Sequence, residues 1–255
     1  MDILADLLSP LALLIALGVA LFAGVIKGLV GFAMPMIMIS GLSSVMAPEL
    51  ALAALIGPTL VTNLLQAFGE GWRAFVQTAK RFRIFLLMGL VMLLLAAQLV
   101  SLLPQNLLLL FIAVPIILFA ALQLAGVPLV LRRATPTIEA IVGAFAGFIG
   151  GLSGVWGPPT VAYLSALNTE KREHIRTQGV IYGLGAIALV FAHIGSGVLT
   201  AKTAPLSIVM ILPALVGMYV GRKLQDRIDQ DTFRRATLLV LLIAGMNLLR
   251  RGLFA

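Results

Sequence analysis

Phe22-Ala23-Gly24-Val25-Ile26-Lys27-Gly28-Leu29-Val30-Gly31-Phe32-Ala33-Met34-Pro35 returns 123 residues later as Phe145-Ala146-Gly147-Phe148-Ile149-Gly150-Gly151-Leu152-Ser153-Gly154-Val155-Trp156-Gly157-Pro158. Eight of the fourteen positions are identical without a gap. Both copies lie in apolar sequence, where clustered glycine and proline interrupt helices. An interrupted apolar segment at matching places in two halves of a chain points to the binding region of a membrane transporter.

Composition agrees with a life in lipid. The chain is 61% hydrophobic and 11% charged, with a mean hydropathy of +1.10, whereas a soluble domain carries about 25% charged residues. Residues 84–131 contain no charge at all. A spanning helix needs roughly 20 apolar residues, so this stretch reads as two passes joined by a turn at Ser101-Leu102-Leu103-Pro104-Gln105-Asn106. Further uncharged runs cover 7–26, 28–48, 50–69, 140–169, 177–201 and 203–221, and a last apolar helix covers 236–249. No soluble domain is expected. The chain opens with Asp2 and Asp6 rather than basic residues, so the first apolar segment is expected to be retained and not cleaved as a signal peptide. The absence of cysteine excludes disulfides, thiolate metal sites and Cys nucleophiles. The net charge of +8 sits at helix ends, where the positive-inside rule accounts for it without nucleic acid.

Lys and Arg positions discriminate between topologies. If all eight apolar segments span, with Arg73, Lys80, Arg81 and Arg83 cytoplasmic, the loops carry nine basic residues inside and eight outside. If the fifth segment (137–167) instead breaks at Gly150–Gly154 and leaves on the side it entered, the split becomes fourteen against three, the exceptions being Lys202, Arg250 and Arg251. The rule favours this re-entrant hairpin. Arms of about 14 residues, roughly 21 Å, would be too short to cross a ~30 Å core. Repeat symmetry extends the hairpin to the first segment. The fold expected is therefore an all-α polytopic membrane protein of two inverted repeats, each a broken re-entrant hairpin plus three transmembrane helices. Residues 1–125 form the first repeat, 126–136 a cytoplasmic linker and 137–255 the second repeat, within one membrane domain. A first segment that spans, giving seven crossings, remains the alternative.

A helix starting in mid-membrane presents unpaired N–H groups and a positive dipole end, and two such ends form an anion site from backbone alone. Gly28, Gly31, Gly151 and Gly154 would let the backbone approach the ligand. Pro35 and Pro158-Pro159 fit the first turn of the second arm, and Ser153 adds a hydroxyl. Lys27 stands at the first tip, where the repeat has Gly150, with no carboxylate within 20 residues on either side. A charge at that depth costs at least ~2.5 kcal/mol and needs a counter-ion, which the substrate can supply; snorkelling to water is the bland alternative. Thr59, Thr62, Asn63 and Gln66 on the second segment, and Thr177, Gln178 and Tyr182 on the sixth, would face the tips if the halves are equivalent, although interhelical hydrogen bonding explains each equally well. His174 and His193 are read as structural, and Glu49 as a helix-start residue.

Gly24-x-x-Lys27-Gly28-x-x-Gly31-Phe32-x-x-x-Pro35 and Gly147-x-x-x-Gly151-x-Ser153-Gly154-x-x-Gly157-Pro158 resemble the TauE/SafE sulfite exporter family of anion transporters over essentially the whole chain. The resemblance implies a multi-pass protein of the bacterial inner membrane carrying small sulfur-containing or organic anions, with proton coupling by analogy. Two departures stand out: Ala33 where the family often has glycine, and Trp156 in place of a smaller residue. Trp156 would reshape the site.

The substrate site expected from these readings comprises Lys27, Gly28, Gly31, Asn63, Gly151, Ser153, Gly154, Trp156, Gln178 and Tyr182. The partners expected are a small anion and the bilayer, with no nucleic acid; no cofactor or metal is expected. An intramembrane enzyme would need an acid pair, a metal cluster or a Ser-based dyad. The interior offers no acid pair, no Cys and no HExxH. A passive anion channel and a non-transporting membrane subunit remain as alternatives to an exporter working by alternating access.

Overall fold

Proline sets where several of the helices begin. The computed structural model describes residues 7–127, 131, 134–167, 171–224 and 229–254; Asp2, Asp6, Arg132, Arg133 and Arg227, which entered the topology reading, lie outside them. Helices α1 (Pro10–Val30), α3 (Pro48–Ala67) and α7 (Pro136–Ser153) open on a proline, and α2 (Met34–Leu42) and α10 (Ala204–Val209) carry one in the first two positions, where the missing N–H leaves no bond unmade. The others are α4 (Trp72–Arg81), α5 (Arg83–Leu99), α6 (Gln105–Leu124), α8 (Gly157–Ala166), α9 (Lys171–Gly195), α11 (Ile211–Leu224) and α12 (Gln230–Phe254). Among the described residues, six helical segments are long and apolar enough to cross a membrane, seven if the bent pair α4–α5 counts as one. The chain is an all-α polytopic membrane protein.

Each motif copy ends one helix and starts another. Gly31 (φ 80°) and Gly154 (φ 71°) close α1 and α7 in the left-handed conformation, donating to the Lys27 and Gly150 carbonyls at 2.8 and 2.7 Å. The chain then folds back. A Cβ added at Gly41 of α2 would lie 2.7 Å from Val19 Cγ1 of α1. The Leu131 N–H, ahead of α7, donates to the Ala166 carbonyl at the end of α8 (2.8 Å).

Two details differ from the sequence reading. The second break falls at Gly154–Trp156, because residues Gly150–Ser153 stay helical. The arms are 21 and 9 residues in the first hairpin and 18 and 10 in the second, not two of about 14. The first arms are long enough to cross a membrane by themselves, so the hairpins rest on the fold-back contacts and not on arm length. The glycines inside α1 and α7 do not break them because their bare faces pack on neighbouring helices. Cβ atoms at Gly24 and Gly28 would lie 2.2 and 2.3 Å from the Ala214 and Met218 carbonyl oxygens of α11. At Gly143, Gly147 and Gly151 they would lie 2.4, 2.0 and 2.5 Å from the Phe85, Gly89 and Leu93 oxygens of α5. Small residues of this kind bring membrane helices into backbone contact.

The main packings come in pairs that exchange the two halves. The long arm of each hairpin runs parallel to a helix of the other half: α1 to α11 and α7 to α5. Helices in corresponding positions cross antiparallel: α3 with α9 (Asn63 near Gly183, Gln66 near Gly179) and α6 with α12 (Ile117 near Gly245, Leu110 near Gly252).

The basic loop 73–83 contains a helix that the sequence reading treated as loop. It meets α5 at 80°, and Phe68, Trp72 and Phe75 stack along it at 4.9–6.0 Å between ring centroids. Arg81 bonds Glu173, and Arg176 lies 3.6 Å from Glu70, so α5 and α9 begin at the same end of the bundle. At the opposite end Gln98 Nε2 donates to the Ala192 carbonyl (3.4 Å). This is the arrangement that a fifth segment leaving where it enters requires.

Candidate functional site

Lys27 lies in the last turn of α1 and is 2% exposed. Its ammonium donates to Asn63 Oδ1 of α3. Among the described residues it has no carboxylate partner, so the charge is held by a neutral amide. Such a charge favours any anion that comes within reach, since burial without a counter-ion is costly. The first break adds more polar groups. Gln66 Nε2 and Gln178 Oε1 each lie 3.6 Å from where a Gly31 Cβ would stand. Gln178 comes from the other half of the chain, and its Oε1 is buried without a hydrogen bond, as are Thr59 Oγ1 and Thr177 Oγ1. Thr62 is bound locally, donating to the Pro58 carbonyl (2.7 Å).

The second break is lined differently. Leu55, Leu189 and Leu52 surround Gly154. Ser153 spends its hydroxyl on the break itself, donating to the Ile149 carbonyl (2.7 Å) and accepting from the Val155 N–H (3.1 Å). The Trp156 indole is 5% exposed and packs on Gly150, where a Cβ would meet Trp156 Cε3 at 2.7 Å, and on Gly185. Tyr182, fully internal, donates to the Gly157 carbonyl (3.4 Å).

The two breaks are neighbours. A Cβ at Gly157, the first residue of α8, would lie 3.7 Å from both Phe32 Cδ2 and Tyr182 Oη. Phe32 carries this contact; it stands in the first motif but is not among the expected site residues, and the repeat has Val155 at the matching place.

The structure thus gathers Lys27, Gly31, Asn63 and Gln178 at the first break, and Ser153, Gly154, Trp156 and Tyr182 at the second. Gly28 and Gly151 face helix backbone instead: Gly28 packs against α11 and Gly151 against α5. The halves are complementary at two repeat-related positions. The first has Lys27 with Ala33; the second has Gly150 with Trp156. The indole fills the space that a side chain at residue 150 would need, so one half supplies a cation and the other an apolar plug. His193 is fully buried, with Nδ1 3.1 Å from Ser196 Oγ. His174 is in the first turn of α9, and burial lowers its pKa below the ordinary imidazole value.

No curated protein and no solved structure matches the chain. A family model does: that of the sulfite exporter TauE/SafE, over residues 16–248. The match runs from within α1 to within α12 and takes in both helix breaks, so this multi-pass membrane protein belongs to the TauE/SafE family of anion transporters.

Proposed function

We propose that the protein is a secondary transporter of the bacterial inner membrane that exports a small sulfur-containing or organic anion by alternating access. The observation carrying this reading is Lys27: a buried ammonium at a helix break whose partner is a neutral amide. The anion would sit at the first break against Lys27, Asn63 and Gln178, with the bare amides at the start of α2 supplying further donors. Gly31, Gly154 and Ser153 shape the two breaks, Gly28 and Gly151 hold the hairpins against α11 and α5, and Trp156 and Tyr182 close the apolar side. Family membership supports the anion class and the direction. Antiparallel crossing of corresponding helices supports an inverted repeat, in which the halves exchange roles as the protein changes its facing. Proton coupling is part of the proposal by analogy with the family.

The test is flux and counterflow of sulfite and sulfoacetate in proteoliposomes. Saturable counterflow is expected, with Lys27→Ala weakening anion binding at least about tenfold, equivalent to about 1.4 kcal/mol. Unsaturable flux without counterflow would indicate a channel. Full transport by Lys27→Ala would remove the ammonium from the mechanism.

A further inference from the structure

A crevice of about 530 Å³ opens between α5, α7 and α9. Its walls are almost wholly hydrocarbon, and at its mouth Leu87, Leu90, Ile187 and Phe191 are exposed on helices that run through the bilayer. Apolar hollows of this kind hold hydrocarbon rather than water. Among the described residues Arg83 is the only charged one lining it. Arg83 and Leu93 are both wall residues, ten positions apart on α5, which is about 15 Å along a helix axis. Trp156 closes the deep end. It packs on Gly150, next to the Gly151 that contacts the Leu93 carbonyl. The crevice is therefore a hydrocarbon slot with a cation at one end and the indole of the second break at the other.

We propose that this slot holds one acyl chain of an anionic phospholipid, with the phosphate on Arg83 and the chain reaching Trp156. Arg81, two residues earlier, is committed to Glu173. Glu139 of α7 lies within electrostatic range of Arg83, and a guanidinium's five N–H donors leave several for a phosphate. The helix before it, α4, turns 80° away from α5 and carries Arg73 and Lys80, so the headgroup region is basic beyond Arg83 as well. Such a segment attracts anionic lipid. Because the chain end abuts Trp156, the lipid bears on the second break, and bilayer composition would influence that hairpin. This assignment does not depend on which anion is transported.

The chain has two tryptophans, so a Trp72→Phe protein reports on Trp156 alone. It is reconstituted in phosphatidylcholine vesicles containing a minor fraction of acyl-brominated phosphatidylglycerol or of acyl-brominated phosphatidylcholine. An indole that is 5% exposed and lines the slot is approached by a brominated chain chiefly through that slot. Preferential quenching by the brominated phosphatidylglycerol is expected. The preference should vanish in Arg83→Gln and persist in Arg83→Lys, while Ala188→Phe, which fills the slot, should abolish quenching by both lipids. Equal quenching by the two lipids in the Trp72→Phe protein, or none by either, overturns the proposal. So does displacement of the quenching by a soluble alkyl sulfonate, which would make the slot a solute site.

Discussion

Ala33 has φ 75° and is the one described residue other than glycine with a positive φ. An L side chain in the left-handed region costs about 1–2 kcal/mol, and the residue also starts α2 without a side-chain cap. The geometry therefore explains on backbone grounds why glycine suits this place. Ala33→Gly is expected to raise the midpoint of thermal unfolding in detergent, by a stabilisation of about 1 kcal/mol, whereas Ala33→Val lowers it. A fall on Ala33→Gly would mean that the methyl contributes more through packing than it costs through strain. Lys27 was legible as a candidate from sequence because a lone cation in an apolar run is conspicuous. Its bond to Asn63, 36 positions away, was not, because pairing across helices depends on how the helices rotate against each other.

Glycine does two different jobs along the hairpins. At Gly31 and Gly154 it turns the chain; within α1 and α7 it clears a path for another backbone. Both disfavour alanine, by backbone strain at the turns and by overpacking at the contacts, and only a glycine that does neither should accept it. Cβ atoms at Gly147 and Gly217 would lie 2.0 Å from the Gly89 and Leu21 carbonyl oxygens, so Gly147→Ala and Gly217→Ala should each cost about 1–3 kcal/mol by overpacking. Gly18 of the same α1 has nothing within 4 Å, and Gly18→Ala should gain about 0.5–1 kcal/mol from reduced backbone entropy. Thermal denaturation of the purified variants separates the two classes, and equal effects at all three sites would sink the distinction. The sequence reading could not separate these jobs, since a glycine that bends a helix and one that packs against a neighbour look alike in one dimension. That is why the second break was placed at Gly150–Gly154 when the helix continues through Ser153.

At the scale of the molecule, the shared starting end of α5 and α9 fixes which loops lie together. The natural absence of cysteine makes this measurable with single cysteines and a membrane-impermeant maleimide. Arg73→Cys and Thr137→Cys should react only after the cytoplasmic side is opened. Leu102→Cys and Lys202→Cys should react from outside in intact cells. Labelling of residue 202 on the side of residue 73 would contradict a second hairpin that returns where it enters. The charge count had pointed the same way, because loop Lys and Arg report sidedness without knowledge of any contact.

Sequence alone determined the membrane class, the duplication, the family and the positions of the helix breaks to within a few residues. Each of these follows from local chemistry: apolar run length, glycine and proline punctuation, and the sidedness of charge. Only the tertiary structure decided that the two breaks are lined unequally, with polar groups at the first and leucines and an indole at the second. It alone brought Gln178 of one half to Gly31 of the other, placed a helix in the basic loop ahead of α5 and opened the slot beside Trp156. Those features arise where helices far apart in the chain meet, and the angle and depth of each meeting are set by backbone contact at glycine.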